Sequence, residues 1–235
     1  MKKFLNNYKT IIISFLLITT FILLNFETRK EVVHQTKINN NENVASEVTK
    51  VKKLQEKYQN KDIVGFLTIP GTNINEPILQ ADDNEYYLSH SASKKKNLIG
   101  STYLDYRVKI NEGRKNLIYS HNSSTLDVPF KELENYYSKD YFEEHKYIFL
   151  EDTVKKQKYE IFSVFVETSN WSYMKLDFTD EAWFKHLEEM KNKSWYDTNV
   201  EVESADDILI LQTCSHHKKY SKYKNKYLLI VAKKV

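Results

Sequence analysis

One cysteine, Cys214, is the side chain with the greatest chemical potential in this 235-residue sequence. It ends the apolar run "DILILQTC" and precedes the polar segment "SHHKKYSKYKNK". A free cysteine in this setting is a small buried hydrophobe, a metal ligand or a nucleophile. Because it stands where an apolar strand gives way to a loop, its position favours chemistry over simple packing.

His121 is the best candidate for a group that works with Cys214. It lies in "NLIYSHNSS", where another apolar strand ends before a polar loop. Two strands that end in Cys and His can bring these side chains together in a β-barrel. His216 and His217 are alternatives, but they follow Cys214 too closely to face it easily in an extended segment. A metal site is disfavoured because Cys-x-His-His lacks the paired, separated ligands of zinc motifs, and no cofactor is expected.

The composition is that of one globular domain with additional segments. Hydrophobic residues make up 41% of the chain, which is enough to build a core. The 17 Tyr and 12 Phe favour β structure. A net charge of +3 is too small to indicate nucleic-acid binding, and one cysteine excludes an intrachain disulfide.

The N-terminus predicts a membrane anchor. Lys2, Lys3 and Lys9 precede an uncharged apolar run at residues 10–26, close to the shortest length that spans a bilayer. A secretory signal peptide is the competing interpretation, but no small-x-small cleavage site follows the run. The basic residues before the span predict a single-pass protein of the cell membrane with a cytoplasmic N-terminus and an extracellular remainder.

Behind this anchor, residues 27–60 are predicted to form a tether and a helix, and residues 61–235 a barrel domain. The tether is polar and rich in Asn. Val48, Val51, Leu54 and Tyr58 then recur at helical spacing, with Ser46 as a candidate N-cap.

The barrel domain is predicted to be mostly β, with few helices. Leu209 and Leu211 alternate with Ile208 and Ile210, which is typical of a strand buried on both faces. The predicted strands are "IVGFLTIP", "NEPILQ", "LIGSTYLDY", "NLIYSH", "YIFLED", "KYEIFSVFVETS", "DILILQTC" and "KYLLIVAKK". The predicted helices are "PFKELENYY" and "TDEAWFKHLEEMKNK", the latter capped by Thr179 and burying Trp183, Phe184 and Leu187. These elements indicate a closed β-barrel with peripheral helices.

Other polar residues receive structural interpretations. Asp105 and Arg107 are expected to form a structural ion pair. His90, His145 and His186 have no evident partner in the sequence and are expected at or near the surface.

Several segments together resemble the class B sortases, which are membrane-anchored cysteine transpeptidases of Gram-positive bacteria. They are "LQTC" at 211–214, "YSHN" at 119–122, "STYLDYR" at 101–107, "NINEPILQADDNEYYL" at 73–88 and the helix around "TDEAWFKHLEEM". The resemblance implies a sortase-type barrel in which Cys214 attacks the sorting signal of a secreted protein and His121 acts as the acid. A cell-wall amine would then resolve the thioester. A non-catalytic module that binds a sorting-signal-like peptide is the alternative.

The sequence departs from the family at three positions near these groups, one of which is Ile210, where the family commonly has Thr. The family places an Arg on the strand after the cysteine, where this chain has Tyr227. The candidate replacements are Tyr227, Lys226, Lys224 and Lys222, although lysine cannot reproduce the planar fork of arginine. Ser120 stands where the family has Gly before the histidine. Ser120, Thr213 and Asn122 are the predicted substrate-binding residues.

Overall fold

The computed structural model describes residues 50–235. The predictions for the N-terminal part lie outside these residues. They concern the anchor at 10–26, the polar tether, the cap Ser46 and Val48. Between residues 50 and 235, no helix has the length and apolar character needed to cross a bilayer.

Eight strands form a closed barrel, which confirms the predicted fold class. They follow one another around the barrel in the order β1-β2-β3-β4-β7-β8-β6-β5. The strands are β1 (Ile63–Thr68), β2 (Asn75–Leu79), β3 (Tyr103–Leu104), β4 (Lys115–Tyr119), β5 (Tyr147–Glu151), β6 (Lys156–Glu167), β7 (Ile208–Cys214) and β8 (Tyr227–Lys234). β4 and β7 are parallel neighbours, so both strands end at the same rim.

The predicted strand at 98–106 is wrong over most of its length, because only β3 is extended. Gly100 has a φ of 65°, in the left-handed region that ends regular β pairing. The backbone N–H of Gly100 bonds to the carbonyl of Asn97, and that of Ser101 bonds to the carbonyl of Tyr87. These bonds fold the segment into turns before the strand begins.

In the described part of the chain, three α-helices accompany the barrel: α1 over residues 50–58, α2 (Lys139–Glu144) and α3 (Asp180–Asn192). The Thr179 side chain accepts a hydrogen bond from the Ala182 backbone N–H at 3.3 Å, so its predicted role as the N-cap of α3 is confirmed. The predicted helix at 129–137 is a 3₁₀ helix, Lys131–Tyr137. The six-residue helix α2 was not predicted, because it is too short to show a periodic pattern.

Strand β7 separates two hydrophobic cores. Leu209 and Leu211 belong to the cluster inside the barrel, whereas Ile208 and Ile210 belong to the cluster outside it. All four side chains are fully buried, which confirms the prediction of a strand covered on both faces. The cover on the outer face includes side chains of α1 and α3.

Helix α3 buries Trp183, Leu187 and Met190 against the outer face of the barrel. Their spacing of four and three residues places them on one stripe of the helix. Phe184 was expected in this stripe, but it is 37% exposed, because the next residue along a helix points about 100° away.

Candidate active site

The pairing of β4 with β7 brings His121 and Cys214 to the same rim of the barrel. Tyr119, the last residue of β4, is in register with Gln212, and His121 and Cys214 each follow two residues later in the chain. The Ser120 N–H donates to the Gln212 carbonyl at 3.2 Å, so the contact between the two chain segments continues past the last residue of β4. Two chemically active residues from distant parts of the sequence therefore lie at one rim of the barrel.

Side-chain hydrogen bonds fasten these strand ends together. The buried Thr213 hydroxyl donates to the Ser120 carbonyl at 2.8 Å. The Asn122 amide donates to the Cys214 carbonyl, also at 2.8 Å. Ser120, Thr213 and Asn122 thus hold the candidate histidine and cysteine in place, and contact of these three residues with substrate stays a prediction.

Cys214 and Tyr227 share the outer face of the barrel. Side chains two residues apart on a strand point to the same side, so Cys214 shares its face with Gln212 and with Ile210 of the outer cluster. Tyr227 is the direct antiparallel partner of Cys214 and lies beside it on this face. The Cys214 residue is exposed here, which leaves the thiol accessible to a substrate.

The imidazole of His121 is oriented by a backbone carbonyl. Its Nε2 lies 2.8 Å from the Leu88 carbonyl oxygen. A carbonyl can only accept, so this contact requires a hydrogen on Nε2 and leaves Nδ1 as the nitrogen that gains and loses a proton.

The electrostatic surroundings keep the resting thiol protonated. Burial raises the pKa of the Cys214 thiol above its ordinary value, because a thiolate is poorly solvated there. The positive charge of Lys226 opposes this effect and lowers the pKa. Formation of the nucleophilic thiolate therefore depends on a proton acceptor or on a substrate that displaces the equilibrium.

Two of the four candidate replacements for the family arginine lie at the thiol. Tyr227 faces Cys214 across the β7–β8 ladder, and burial raises the pKa of its phenol, so the hydroxyl stays protonated and can donate a hydrogen bond. Lys226 acts on the thiol through its charge. Lys222 and Lys224 are exposed in the preceding loop, and the Lys222 ammonium lies over the Tyr223 ring at 5.2 Å.

The two arginines of the described chain are engaged elsewhere. Arg107 holds the buried Asp105 with two side-chain hydrogen bonds of 2.8 and 2.7 Å, which confirms the predicted structural pair. Arg114 pairs with Asp180. It precedes the first residue of β4, whereas His121 follows the last residue of that strand. Neither guanidinium is positioned as the missing family arginine.

Sequence reasoning missed two aromatic residues that contact the strands of the site. Trp171 is 39% exposed, and its ring centroid lies 5.4 Å from that of Tyr227. The Tyr173 hydroxyl donates to the Gln212 side-chain carbonyl at 2.7 Å. Both aromatic residues come from a 3₁₀ turn, Trp171–Met174, that has no recognisable motif.

The expectation that three histidines lie at or near the surface is confirmed for His90 and His145, which are half-buried, and is wrong for His186. His90 Nδ1 lies 2.7 Å from the Tyr86 carbonyl, and His145 Nδ1 lies 3.1 Å from the Pro70 carbonyl. His186 is buried, with Nε2 3.0 Å from the Lys115 ammonium. Burial and the Lys115 charge lower the pKa of His186 to about 3, so its ring is neutral.

Comparisons with known proteins agree on one family. A model of the sortase domain matches residues 67–235. Sortase B of Listeria monocytogenes is 37% identical over 166 residues, which are 69% of this chain and 67% of that protein. The crystal structure of Clostridium perfringens sortase B aligns with a TM-score of 0.70 and 30% identity, covering 78% of this chain and 98% of that one. A Staphylococcus aureus sortase B–substrate complex gives 0.68 and 28%, covering 86% and 98%.

The thiol environment predicts a pH-dependent alkylation rate. Free cysteine titrates near pH 8.5 and the Cys214 pKa is raised, so its reaction with iodoacetamide should keep accelerating between about pH 8 and 10. Lys226→Ala removes a charge that favours the thiolate, so it should slow alkylation at neutral pH about two- to fivefold. Mass spectrometry of the alkylated protein gives both rates.

Lys224→Ala is the matched control, because Lys224 is exposed and lies only two residues away. An equal loss in both variants, or a rate already at its plateau at neutral pH, would contradict this account of the thiol.

Proposed function

The chain belongs to the sortase family, and we propose that Cys214 and His121 carry out the transpeptidation of a class B member. It is a cysteine transpeptidase that cleaves a C-terminal sorting signal of secreted proteins and joins them to a cell-wall amine. The observation that supports the assignment of residues is the register of β4 and β7, because it brings the chain ends that carry His121 and Cys214 to the same rim of the barrel.

In the first half-reaction, the Cys214 thiolate attacks the threonine carbonyl of the sorting signal. The carbonyl oxygen becomes an oxyanion that needs preorganised donors. The imidazolium of His121 gives its Nδ1 proton to the leaving amine, the C–N bond breaks, and a thioester remains on Cys214. The C-terminal fragment of the signal leaves as a free amine.

In the second half-reaction, a neutral amine attacks the thioester carbonyl. The new C–N bond forms, the C–S bond breaks, and the departing thiolate is restored at Cys214. The proton lost by the attacking nitrogen returns to His121, which completes the cycle. The reaction is a net exchange of one amide for another, so it needs no oxidant, metal or nucleotide.

A non-catalytic binding module is not favoured. A module that only binds peptide has no need of an accessible thiol at the same rim as an oriented imidazole, whereas acyl transfer needs both. Tyr227 at the family's arginine position removes one charged donor but leaves the two reacting groups in place.

The first test is formation of the acyl-enzyme. With a library of sorting peptides, the protein should gain the mass of the N-terminal peptide fragment on Cys214, and Cys214→Ala should abolish the adduct. His121→Ala should slow acylation at least about 100-fold, since a general acid contributes that much.

His216→Ala is the matched control, because it removes the alternative histidine while its backbone contact to Glu134 is retained. Retained acylation in His121→Ala together with loss in His216→Ala would reassign the acid.

We propose that Tyr227, assisted by the charge of Lys226, replaces the family arginine. The phenol lies opposite the nucleophile and stays protonated, so it can donate one hydrogen bond to the oxyanion or the substrate. One lost donor costs about 100- to 1000-fold in rate, and a neutral phenol is a weaker donor than a guanidinium. The chain is therefore expected to be an active but slow enzyme.

Single substitutions test this replacement. Tyr227→Phe should lower acylation at least about tenfold, and Tyr227→Arg should raise it by supplying the charged fork. Lys222→Ala and Lys224→Ala serve as controls from the exposed loop. If Tyr227→Phe and Lys226→Ala both acylate at the parent rate, the donors are backbone amides instead.

We propose that residues 1–26 are a cytoplasmic tip and membrane anchor, that residues 27–60 form a tether and helix, and that residues 61–235 are the extracellular catalytic domain. The supporting observation is the Lys2, Lys3 and Lys9 bias before an uncharged run. A surface location also suits an enzyme whose substrates are secreted proteins.

Protease added to intact protoplasts should digest the catalytic domain, and the mature protein should retain its N-terminus. A cytoplasmic reporter protein in the same protoplasts should survive, as the control for lysis. Full protection of the domain, or a mature N-terminus near residue 27, would contradict the proposed topology.

A further inference from the structure

Lys115 is a buried lysine outside the reacting groups, and burial lowers the pKa of its ammonium to about 7. It is the first residue of β4, and only 4% of its surface is exposed. Its ammonium donates to the carbonyls of Tyr173 at 3.0 Å and Lys175 at 2.7 Å, and lies 3.0 Å from His186 Nε2. An ammonium has three hydrogens, and these three acceptors match them.

The surroundings of this ammonium hold it without a carboxylate. His186 is neutral and acts as an acceptor, and the rings of Phe178 and Trp183 lie 4.9 and 5.5 Å from Lys115 Nζ. Burying an ammonium is costly unless its hydrogens find acceptors, and the three bonds of Lys115 offset that cost. What it bonds to therefore indicates its role.

Lys115 fixes the end of the 3₁₀ turn that carries the aromatic residues. The last carbonyls of a helical turn have no partner within it and attract cations. Lys115 takes the carbonyls of Tyr173 and Lys175, and Arg107 donates to the Met174 carbonyl between them at 3.3 Å. Three successive carbonyls are thus held from the barrel side, two by the buried Lys115 and one by the exposed Arg107.

The fixed turn reaches the reacting groups through two contacts. The Tyr173 hydroxyl bonds to the Gln212 side chain, two residues before Cys214. The Trp171 ring packs on Tyr227, which faces Cys214. These contacts lie on the outer face of the barrel, so the partly exposed Trp171 stands next to Tyr227, the strand partner of Cys214.

We propose that Lys115 is a positioning residue for peptide binding: it fixes residues 171–175 so that Trp171 forms a wall beside Cys214 on which the sorting signal lies. The proposal rests on the function proposed above and adds to it. Lys115 touches no reacting atom and acts through the turn and Trp171. Its loss should therefore weaken peptide binding and leave the chemistry of the bound complex intact.

The test uses the full-length chain with Lys115→Met, which keeps the aliphatic stem and removes the donors. The KM for a sorting peptide should rise about five- to tenfold while kcat stays within about twofold, the pattern of lost binding rather than lost chemistry. Alkylation of Cys214 by iodoacetamide should be unchanged, because that small reagent does not need the wall. Lys233→Met is the matched control. Lys233 is a partly buried lysine near the end of β8 that lies away from Tyr227.

A double-mutant cycle decides whether Lys115 works through Trp171. Trp171→Ala should raise KM to a similar extent, and the double variant should show no further increase. An unchanged KM in Trp171→Ala, or additive increases in the double variant, would overturn the proposal. Because Trp171 is partly exposed, its variant decides the outcome even if Lys115→Met fails to fold.

Hydrogen exchange separates this proposal from the proposed function. Backbone amides of residues 171–176 should exchange faster in Lys115→Met than in the parent, whether or not any peptide reacts. If the unsubstituted protein forms no acyl-enzyme, the proposed function is refuted. The exchange rates of residues 171–176 would still show whether Lys115 fixes the turn. Unchanged exchange would refute the role of Lys115 alone.

Discussion

The parallel pairing of β4 with β7 is the constraint on which the site depends. Parallel neighbours in register run in the same direction, so groups just past their ends reach the same rim of the barrel. Ser120 and Thr213 are 93 residues apart in the chain, yet their hydrogen bond closes this junction. The chain between them must cross over, and that crossover includes β5, β6 and α3. A slip of one residue would turn Cys214 to the opposite face of the sheet.

The rim is made rigid by polar contacts rather than by packing alone. The apolar interior of the barrel ends where β7 ends, and beyond it the backbone groups need other partners. Thr213 and Asn122 supply them, because their side chains bond to carbonyls on the opposite strand. The Leu88 carbonyl in turn accepts a hydrogen bond from the His121 ring and orients it. Preorganisation of this kind lets a nucleophile and an acid act without a costly rearrangement.

On the outer face of the barrel, two polar side chains fix the segment that packs against the strand bearing Cys214. Glu167 accepts backbone hydrogen bonds from Thr168, Ser169 and Asn170, which fixes the start of the crossover. Lys115 fixes the same segment further along by binding its carbonyls. A carboxylate at one end and an ammonium at the other suit the free N–H and C=O groups that a turn presents there. The aromatic residues between these two anchors are thereby held against the strand that bears the thiol.

The sequence by itself determined the barrel, the α3 cap at Thr179, the Asp105–Arg107 pair and the two groups proposed to react. Alternating apolar residues, an N-cap and local motifs are short-range signals, and they survive in any context that buries the strands. The tertiary structure alone decided that β3 is two residues long, that 131–137 is a 3₁₀ helix and that His186 is buried against Lys115. It also decided that Trp171 packs on Tyr227 and that Tyr173 bonds to Gln212. Each of these depends on contacts between residues far apart in the chain, such as the 58 positions from Lys115 to Tyr173, and no local pattern encodes such contacts.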